Sequence, residues 1–349
     1  MNKHKETLEW KPALTIRPNA IGGLGGVQVS DAISQQRYKV SQSDLLDLLC
    51  VTSDESNGLG EKQLSAFQRL GLICEPDKSS DAYDEGIKHW EKHNWQLALG
   101  YYFWALREEF LDEGEDYEEI RCGALRKMLA ESPVPLPIPI SSNEIVNFGD
   151  ATPIPCAKTL GNVLKTRVTT QFMNPEDEMS NGVFHGLLLH GFSVSRKYHV
   201  PDIDEHIHNL LHGVGFAFDP FIAVFDVQGL QSGIYYYSIS QDALKLIKQG
   251  DFRQEVCRGL IGHQQALTAA CTVFLVADFP RFQWRYRHER ALRNLYVDVG
   301  RMAQYFILVA TAYGIKNHIT PATVDDLLAG LLNINSDDRQ VFYSITLGY

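Results

Sequence analysis

Lys165-Thr166-Arg167-Val168-Thr169-Thr170-Gln171 sets two cations among several hydroxyls. Near the start of a helix, such groups bind a phosphate through charged hydrogen bonds and backbone donors. An exposed polar segment is the plainer alternative. A second candidate is His206-x-His208-x3-His212, with Glu205 beside it. On a helix His208 and His212 lie one turn apart, as zinc would accept, but His206 and His208 diverge and the spacing is not HExxH. No metal is expected there, which leaves a polar rim or ordinary surface and capping histidines. His185, His190, His263, His288 and His318 add no ligand spacing. The cluster Gly22-Gly23-Leu24-Gly25-Gly26 precedes no convincing helix and lacks the Lys-Ser/Thr ending of a P-loop, so it reads as a flexible loop. No G-x-S-x-G elbow is present.

These residues need a scaffold, and the chain spells one out in two parts. Ser41 caps a helix carrying Leu45, Leu46, Leu48 and Leu49, and Gly60 precedes a second helix through Leu70 that stops at Gly71. Two short helices and a following turn with strands suggest a small winged-helix-like domain. Lys62 and Arg69 make no dense basic face on its second helix, so peptide binding or packing is expected over base readout. Residues 83–129 read as mostly helical, ending in an acidic run from Glu108 to Asp116 on which a basic peptide segment can dock. Alternating prolines from Pro133 to Pro139 mark a linker. The expected organisation is an N-terminal domain over 1–132, the linker 133–139, and a second domain over 140–349.

In the second domain, helices are expected around Glu178–His190, Ile203–His212, Gln241–Lys248, Phe252–Gln264, Arg290–Tyr313 and Thr323–Leu328. Strands are expected at Phe221–Asp226, Gly233–Tyr237, Cys271–Ala277 and Val341–Tyr349. Strands and helices in this order make an α+β domain.

Composition sets the outer limits. The chain has 349 residues, 44% hydrophobic and 21% charged, enough for a sizeable core. A formal charge of −11 gives no support to nucleic acid or an anionic membrane as a general partner. No apolar run reaches the ~18 residues of a spanning helix, and Met1-Asn2-Lys3-His4 leads into no signal-peptide core. A cytoplasmic location is expected. The six cysteines are scattered, none in a CxxC, and read as buried small residues.

Five segments, in order, carry a resemblance. Lys165 to Gln171 resembles the Arg-Arg-Ser/Thr-x-Arg segment of nitroreductase-like flavoproteins. Gly213-Val214-Gly215-Phe216 resembles their Pro-Ser-x-Gly loop, without the Pro-Ser pair. Gly233-Ile234-Tyr235-Tyr236-Tyr237 resembles a Gly-Leu-Tyr-x-Tyr segment. Arg285-Tyr286 resembles the Lys-Tyr pair of the azoline-oxidising, SagB-type branch, with arginine in place of lysine, and Asp298-Val299-Gly300-Arg301-Met302-Ala303-Gln304 is similar to its Glu-Ala-Gly-His-x-Ala-Gln run. The resemblance covers roughly residues 140–349.

It implies a nitroreductase-like FMN fold, a mixed sheet flanked by helices, in a homodimer with FMN at the subunit interface. It further implies an FMN-dependent dehydrogenase of a peptide-derived intermediate, turning azolines into azoles in natural-product biosynthesis, with a biosynthetic partner protein. Lys165, Arg167, Thr169, Gln171, Gly213, Gly215 and Arg301 would then contact the cofactor, and Tyr286 and Arg285 would be catalytic. Arginine is a poor general base, so Arg285 would steer or stabilise charge while Tyr286 moves a proton. The opposing expectation is a flavin-free homologue that binds a peptide or scaffolds a complex.

Overall fold

The computed structural model describes residues 9–10, 14–18, 27–31, 36–50, 61–74, 87, 89–90, 92–106, 114, 116–146, 148–155, 158–196, 198 and 213–349. The glycine cluster 22–26, the acidic run apart from Asp116, and the helix and histidine motif expected over 203–212 lie outside the described residues. The chain divides into two compact units, Met1–Leu111 and Asp112–Tyr349.

Unit 1 carries β1 (Glu9–Trp10), β2 (Leu14–Pro18), β3 (Val27–Asp31), β4 (Gln36–Val40), α1 (Gln42–Cys50), α2 (Glu61–Arg69), β5 (Ile73–Cys74) and α3 (Gln96–Leu106). Strands β2-β3-β4 form an antiparallel sheet, and β1 pairs with β5. The expected cap is present: Ser41 Oγ accepts the Asp44 N–H at 3.1 Å. Gly71 ends α2 in the left-handed region, at φ +70°. Val29, Val40, Leu48, Phe67 and Leu72 form the core.

Unit 2 begins before the proline segment. Its first helix, α4 (Tyr117–Glu131), buries Leu125 against Trp284, whose Nε1–H donates to Ser132 O and Oγ, both at 3.1 Å. The segment 133–139 is also docked on unit 2. Val134 and Ile138 pack on its clusters, and Ile140 exchanges backbone bonds with the Gln241 amide at 3.2 and 3.1 Å. This differs from a domain start at 140. Proline interrupts regular structure, while the apolar residues between the prolines remain free to bury themselves.

The sheet of unit 2 has strand order β11-β12-β10-β7-β8-β9-β6 among the described residues. These are β6 (Ile145–Val146), β7 (Phe218–Val224), β8 (Gly233–Ser238), β9 (Ala243–Gln249), β10 (Cys271–Asp278), β11 (Lys316–Thr320) and β12 (Arg339–Gly348). Its ladders are antiparallel, and parallel bridges at Thr169–Asn317 and Met179–Val227 make it mixed at the margins. The helices are α5 (Leu160–Thr166), α6 (Asn181–Gly191), α7 (Ser193–Arg196), α8 (Arg253–Gly259), α9 (Phe279–Arg285), α10 (Ala291–Ala312) and α11 (Asp325–Leu332).

Both faces of the sheet are covered, because side chains alternate with period two along each strand. Val273, Leu275, Ile222 and Tyr235 enter one core with α6 and α10, while Phe274, Val276, Phe221 and Tyr236 enter another with α8 and α11. Continuous burial along β7, β8 and β10 follows from this two-sided covering. Cys122, Cys257 and Cys271 are buried free thiols, and burial pushes the Cys271 thiol up to about 12.

Two local readings are corrected. Residues 243–249 form a strand, not a helix. Asp242 turns left-handed at φ +49°, and Tyr235 and Tyr237 pair with Leu246 and Leu244. The turn is held from outside the segment: Tyr237 OH donates to Asp242 Oδ1 at 2.5 Å, and His185 Nε2 lies 3.1 Å from Asp242 Oδ2. Tertiary pairing thus overrides a helix-compatible pattern. The helix expected over Phe252–Gln264 stops at Gly259, and Ile261 turns left-handed at φ +56°.

Candidate functional site

The residues singled out in the sequence fall into two places. Lys165 and Thr166 close α5, and Arg167 is its C-cap. This corrects the expectation of a helix start. The start is Thr159, whose Oγ1 accepts the Asn162 N–H at 3.3 Å. Exposed carbonyls at a helix C-terminus repel an anion, so the backbone of α5 gives Lys165 and Arg167 no help. Thr169 bridges Asn317 on the edge strand β11, and the Gln171 amide oxygen accepts from Gln265 Nε2 at 2.8 Å.

Beside this segment lies a cavity of about 380 Å³ between α5, the end of α10 and β11. Lys158, Asn162, Thr166, Thr170, Lys316 and Asn317 line it, and its volume falls in the range of small-molecule sites. Lys158 Nζ donates to the Thr311 carbonyl at 3.2 Å. Asn317 is 2% exposed, and its Oδ1 has no hydrogen-bond partner among the described residues. A buried amide oxygen in that state costs free energy unless a ligand or water meets it. Lys158, Lys316 and Asn317 were not read from the sequence. The signals were present: Thr159 capping α5 next to Lys158, and Gly314 ending α10 just before β11.

The second place gathers Gly213, Phe216, Phe282, Tyr286, Asn294, Asp298 and Arg301 around a cavity of about 210 Å³. Asp278 caps α9 by accepting the Arg281 N–H at 2.9 Å, with Pro280 in the first turn. That helix ends at Arg285, placing Tyr286 at the cavity with Arg285 packed against its ring. The Arg285 guanidinium is 8% exposed and lies 4.6 Å from the Tyr286 ring centroid and 5.3 Å from that of Phe216. Its position is a buried cation–π stack rather than the surface. Burial lowers its pKa, Tyr286 and Asp298 oppose that, and Arg121 adds to it.

Gly215 is fixed by its neighbours. It sits at φ +72°, and a Cβ there would stand 2.2 Å from Met302 Sδ. Its N–H donates to Asp298 Oδ2 at 2.7 Å, and Arg301 Nη1 lies 3.6 Å from Asp298 Oδ1. Burial pushes the Asp298 carboxyl up, against the Gly215 N–H, Arg301 and Arg285. Arg301 itself is largely exposed at the mouth.

Beneath both elements runs a buried ion network. Arg281, 2% exposed, makes a forked pair with Asp219 at 3.1 and 2.8 Å and donates to Phe216 O at 3.1 Å. Asp278 Oδ2 also accepts from Arg339 at 2.9 Å. The network ties α9, β7 and β12 to the 213–217 loop. The two cavities occupy opposite parts of α10: Asp298 and Thr311 stand about 20 Å apart along its axis.

The family model described as the Nitroreductase family matches residues 222–349. The Trifolitoxin operon protein TfxC of Rhizobium leguminosarum bv. trifolii is 30% identical over 119 residues, 34% of this chain and 33% of the relative. The chain thus matches about a third of that curated relative's length. A candidate nitroreductase of Anabaena variabilis is 27% identical with a TM-score of 0.45, over 54% of this chain and 37% of that one. A chain of the E. coli microcin synthetase McbBCD complex with truncated pro-MccB17 bound is 16% identical, TM-score 0.42, over 70% of this chain and 98% of that one. The C-terminal part of the chain, residues 222–349, is a divergent nitroreductase-family domain.

Proposed function

We propose that this protein is an FMN-dependent oxidoreductase of peptide natural-product biosynthesis, dehydrogenating azoline rings to azoles. The observation that carries the cofactor is the 380 Å³ cavity, where two lysines, two threonines and a buried, unpartnered Asn317 amide oxygen meet, with β11 contributed by the segment that matches the nitroreductase family. The lysine and Thr170 donors fit the phosphate-bearing end of a flavin mononucleotide, and the Asn317 oxygen fits a hydroxyl of its ribityl chain. Lys158 and Lys316 would hold the charge, Thr170 would donate its hydroxyl, and Asn317 would receive a donor, while the Thr166 hydroxyl donates to the Asn162 carbonyl. A bound flavin supplies hydride acceptance.

The chain's own residues supply the rest. Arg285 and Tyr286, stacked at the second cavity, would hold the ring and its developing charge, and Phe216 and Phe282 would exclude water. Lys165, Arg167, Thr169, Gln171, Gly213, Gly215 and Arg301 stay in this reading as cofactor contacts by resemblance. The similarity to a trifolitoxin operon protein supports a peptide substrate and a biosynthetic partner. Unit 1, with α1, α2 and then β5, is retained as the winged-helix-like module. The exposed stripe Leu292, Tyr296 and Val297 on α10 supports a homodimer. A flavin-free scaffold is the second reading, favoured by Lys165 and Arg167 standing at the carbonyl end of α5.

The test is the absorption spectrum of protein purified without added cofactor, with mass identification of any chromophore released on denaturation. Stoichiometric FMN that a thiazoline peptide bleaches under anaerobic conditions supports the dehydrogenase. Folded protein that carries no FMN and cannot be reconstituted moves the reading to the scaffold.

A further inference from the structure

Removing two hydrogens from an azoline takes a base as well as an oxidant, and arginine is a poor one. Among the described residues lining the 210 Å³ cavity, Asp298 is the only carboxylate. Its two oxygens are differently engaged. Oδ2 accepts the Gly215 N–H at 2.7 Å, while Oδ1 lies 3.6 Å from Arg301 Nη1, beyond hydrogen-bond range. One oxygen is therefore anchored, and the other accepts no hydrogen bond among the described residues, in a cavity that Tyr286 also lines.

We infer that Asp298 is the proton acceptor of this cavity, an inference that rests on the dehydrogenase reading above. One ring C–H bond breaks towards Asp298 Oδ1, and its electron pair stays in the ring as part of the new double bond. The second ring C–H would leave with its pair as hydride to a bound flavin. The ring would be oxidised by two electrons, the flavin would take up those two, and the proton would rest on the carboxyl group. The charged and titratable groups facing Asp298 are Arg301 on its own helix, and Arg285 and Tyr286 from α9. The cations keep the carboxylate available, while burial strengthens it as a base, and the direction of its shift agrees. Anchoring by Gly215 also explains why the 213–217 loop is drawn onto α10: the base and the cavity wall are set by one contact.

The experiment compares full-length wild type with Asp298→Asn and Asp298→Glu. Anaerobic flavin reduction by a synthetic peptide carrying one thiazoline ring is followed against pH. Flavin content, Tm and the carboxylic C=O band in pH-difference infrared spectra are recorded for each. Asn keeps an acceptor for Gly215 but cannot take the proton. Asp298→Asn is expected to bind FMN as the wild type does, to lose the titrating infrared band and to reduce flavin ~10²–10⁴-fold more slowly. The acid limb of its pH profile disappears, and Asp298→Glu restores part of the rate with a displaced acid limb. An Asp298→Asn protein that keeps the rate and the acid limb overturns the inference. So does an unchanged profile in Asp298→Glu, which decides the matter if the Asn variant does not fold. Wild type that reduces no flavin, yet shows the infrared band, refutes the dehydrogenase reading and this role with it.

Discussion

Gly215→Ala tests how the loop and α10 are joined. A non-glycine residue held at φ +72° costs about 1–2 kcal/mol. The new methyl would stand 2.2 Å from Met302 Sδ, 2.9 Å from Met302 Cε and 2.7 Å from Ser195 Oγ. Both neighbours are buried, so neither swings into solvent, and overpacking of this kind costs ~1–3 kcal/mol. If the loop lifts instead, the bond to the Asp298 carboxylate is lost, at a similar ~1.5–3 kcal/mol. Reduced freedom of the unfolded chain offsets about 0.4–1 kcal/mol. The net destabilisation expected is ~2–4 kcal/mol, a urea midpoint lower by about 1 M for a slope near 3 kcal/mol/M. The chain has two units, so the assay is hydrogen exchange of the β10 and β12 amides under increasing urea, which reports unit 2 alone. Adding Met302→Ala to both backgrounds removes the clashing atoms and should return ~1–2 kcal/mol in Gly215→Ala relative to the same change in wild type. A Gly215→Ala stability within about 0.5 kcal/mol of wild type, or an additive cycle, refutes this packing account.

Three other outcomes are expected. Arg281→Met removes the forked partner of the buried Asp219 carboxylate and one of the two arginines at Asp278, and should lower the stability of unit 2 by ~3–5 kcal/mol, read by the same exchange experiment. Lys158→Ala and Lys316→Ala should each raise the FMN dissociation constant roughly 10–100-fold in a fluorescence-quenching titration, with a weaker salt dependence than wild type. The His318 imidazole is held below its usual range by burial first and then by His263, against a Thr170 backbone contact. The folded state therefore binds fewer protons than the unfolded one in the window below about pH 6.5. Stability that is present above that pH should fall as pH drops towards the folded-state pKa, and His318→Gln should flatten this decline in urea midpoints.

Much of unit 2 is written locally. The run Ala291–Ala312, the largely apolar β10 and the Gly233 strand carry their period and their stops within themselves, and each formed where the pattern put it. Ser41 fixed the start of α1 in the same way. What the pattern misread depended on contacts from elsewhere. Residues 243–249 became a strand through β8 and the His185–Asp242–Tyr237 contacts, and 133–139 joined unit 2 by burying the residues between its prolines.

The candidate site divides along the same line. Residue chemistry marked the Lys165–Gln171 cations, because charge and hydroxyl are properties of single residues, while Arg285-Tyr286 and Asp298 stood out through the family resemblance. Their grouping was decided by tertiary structure. Lys158 reaches Thr311 across the end of α10, Asn317 is buried only once β11 joins the sheet, and Gly215 meets Asp298 only because the loop and α10 pack together. Distances between residues remote in sequence follow from how the sheet stacks its helices, and neither spacing nor composition contains them. The sequence by itself determined the elements and their reactive groups; the tertiary structure decided which groups share a cavity, since only packing sets burial and through-space separation.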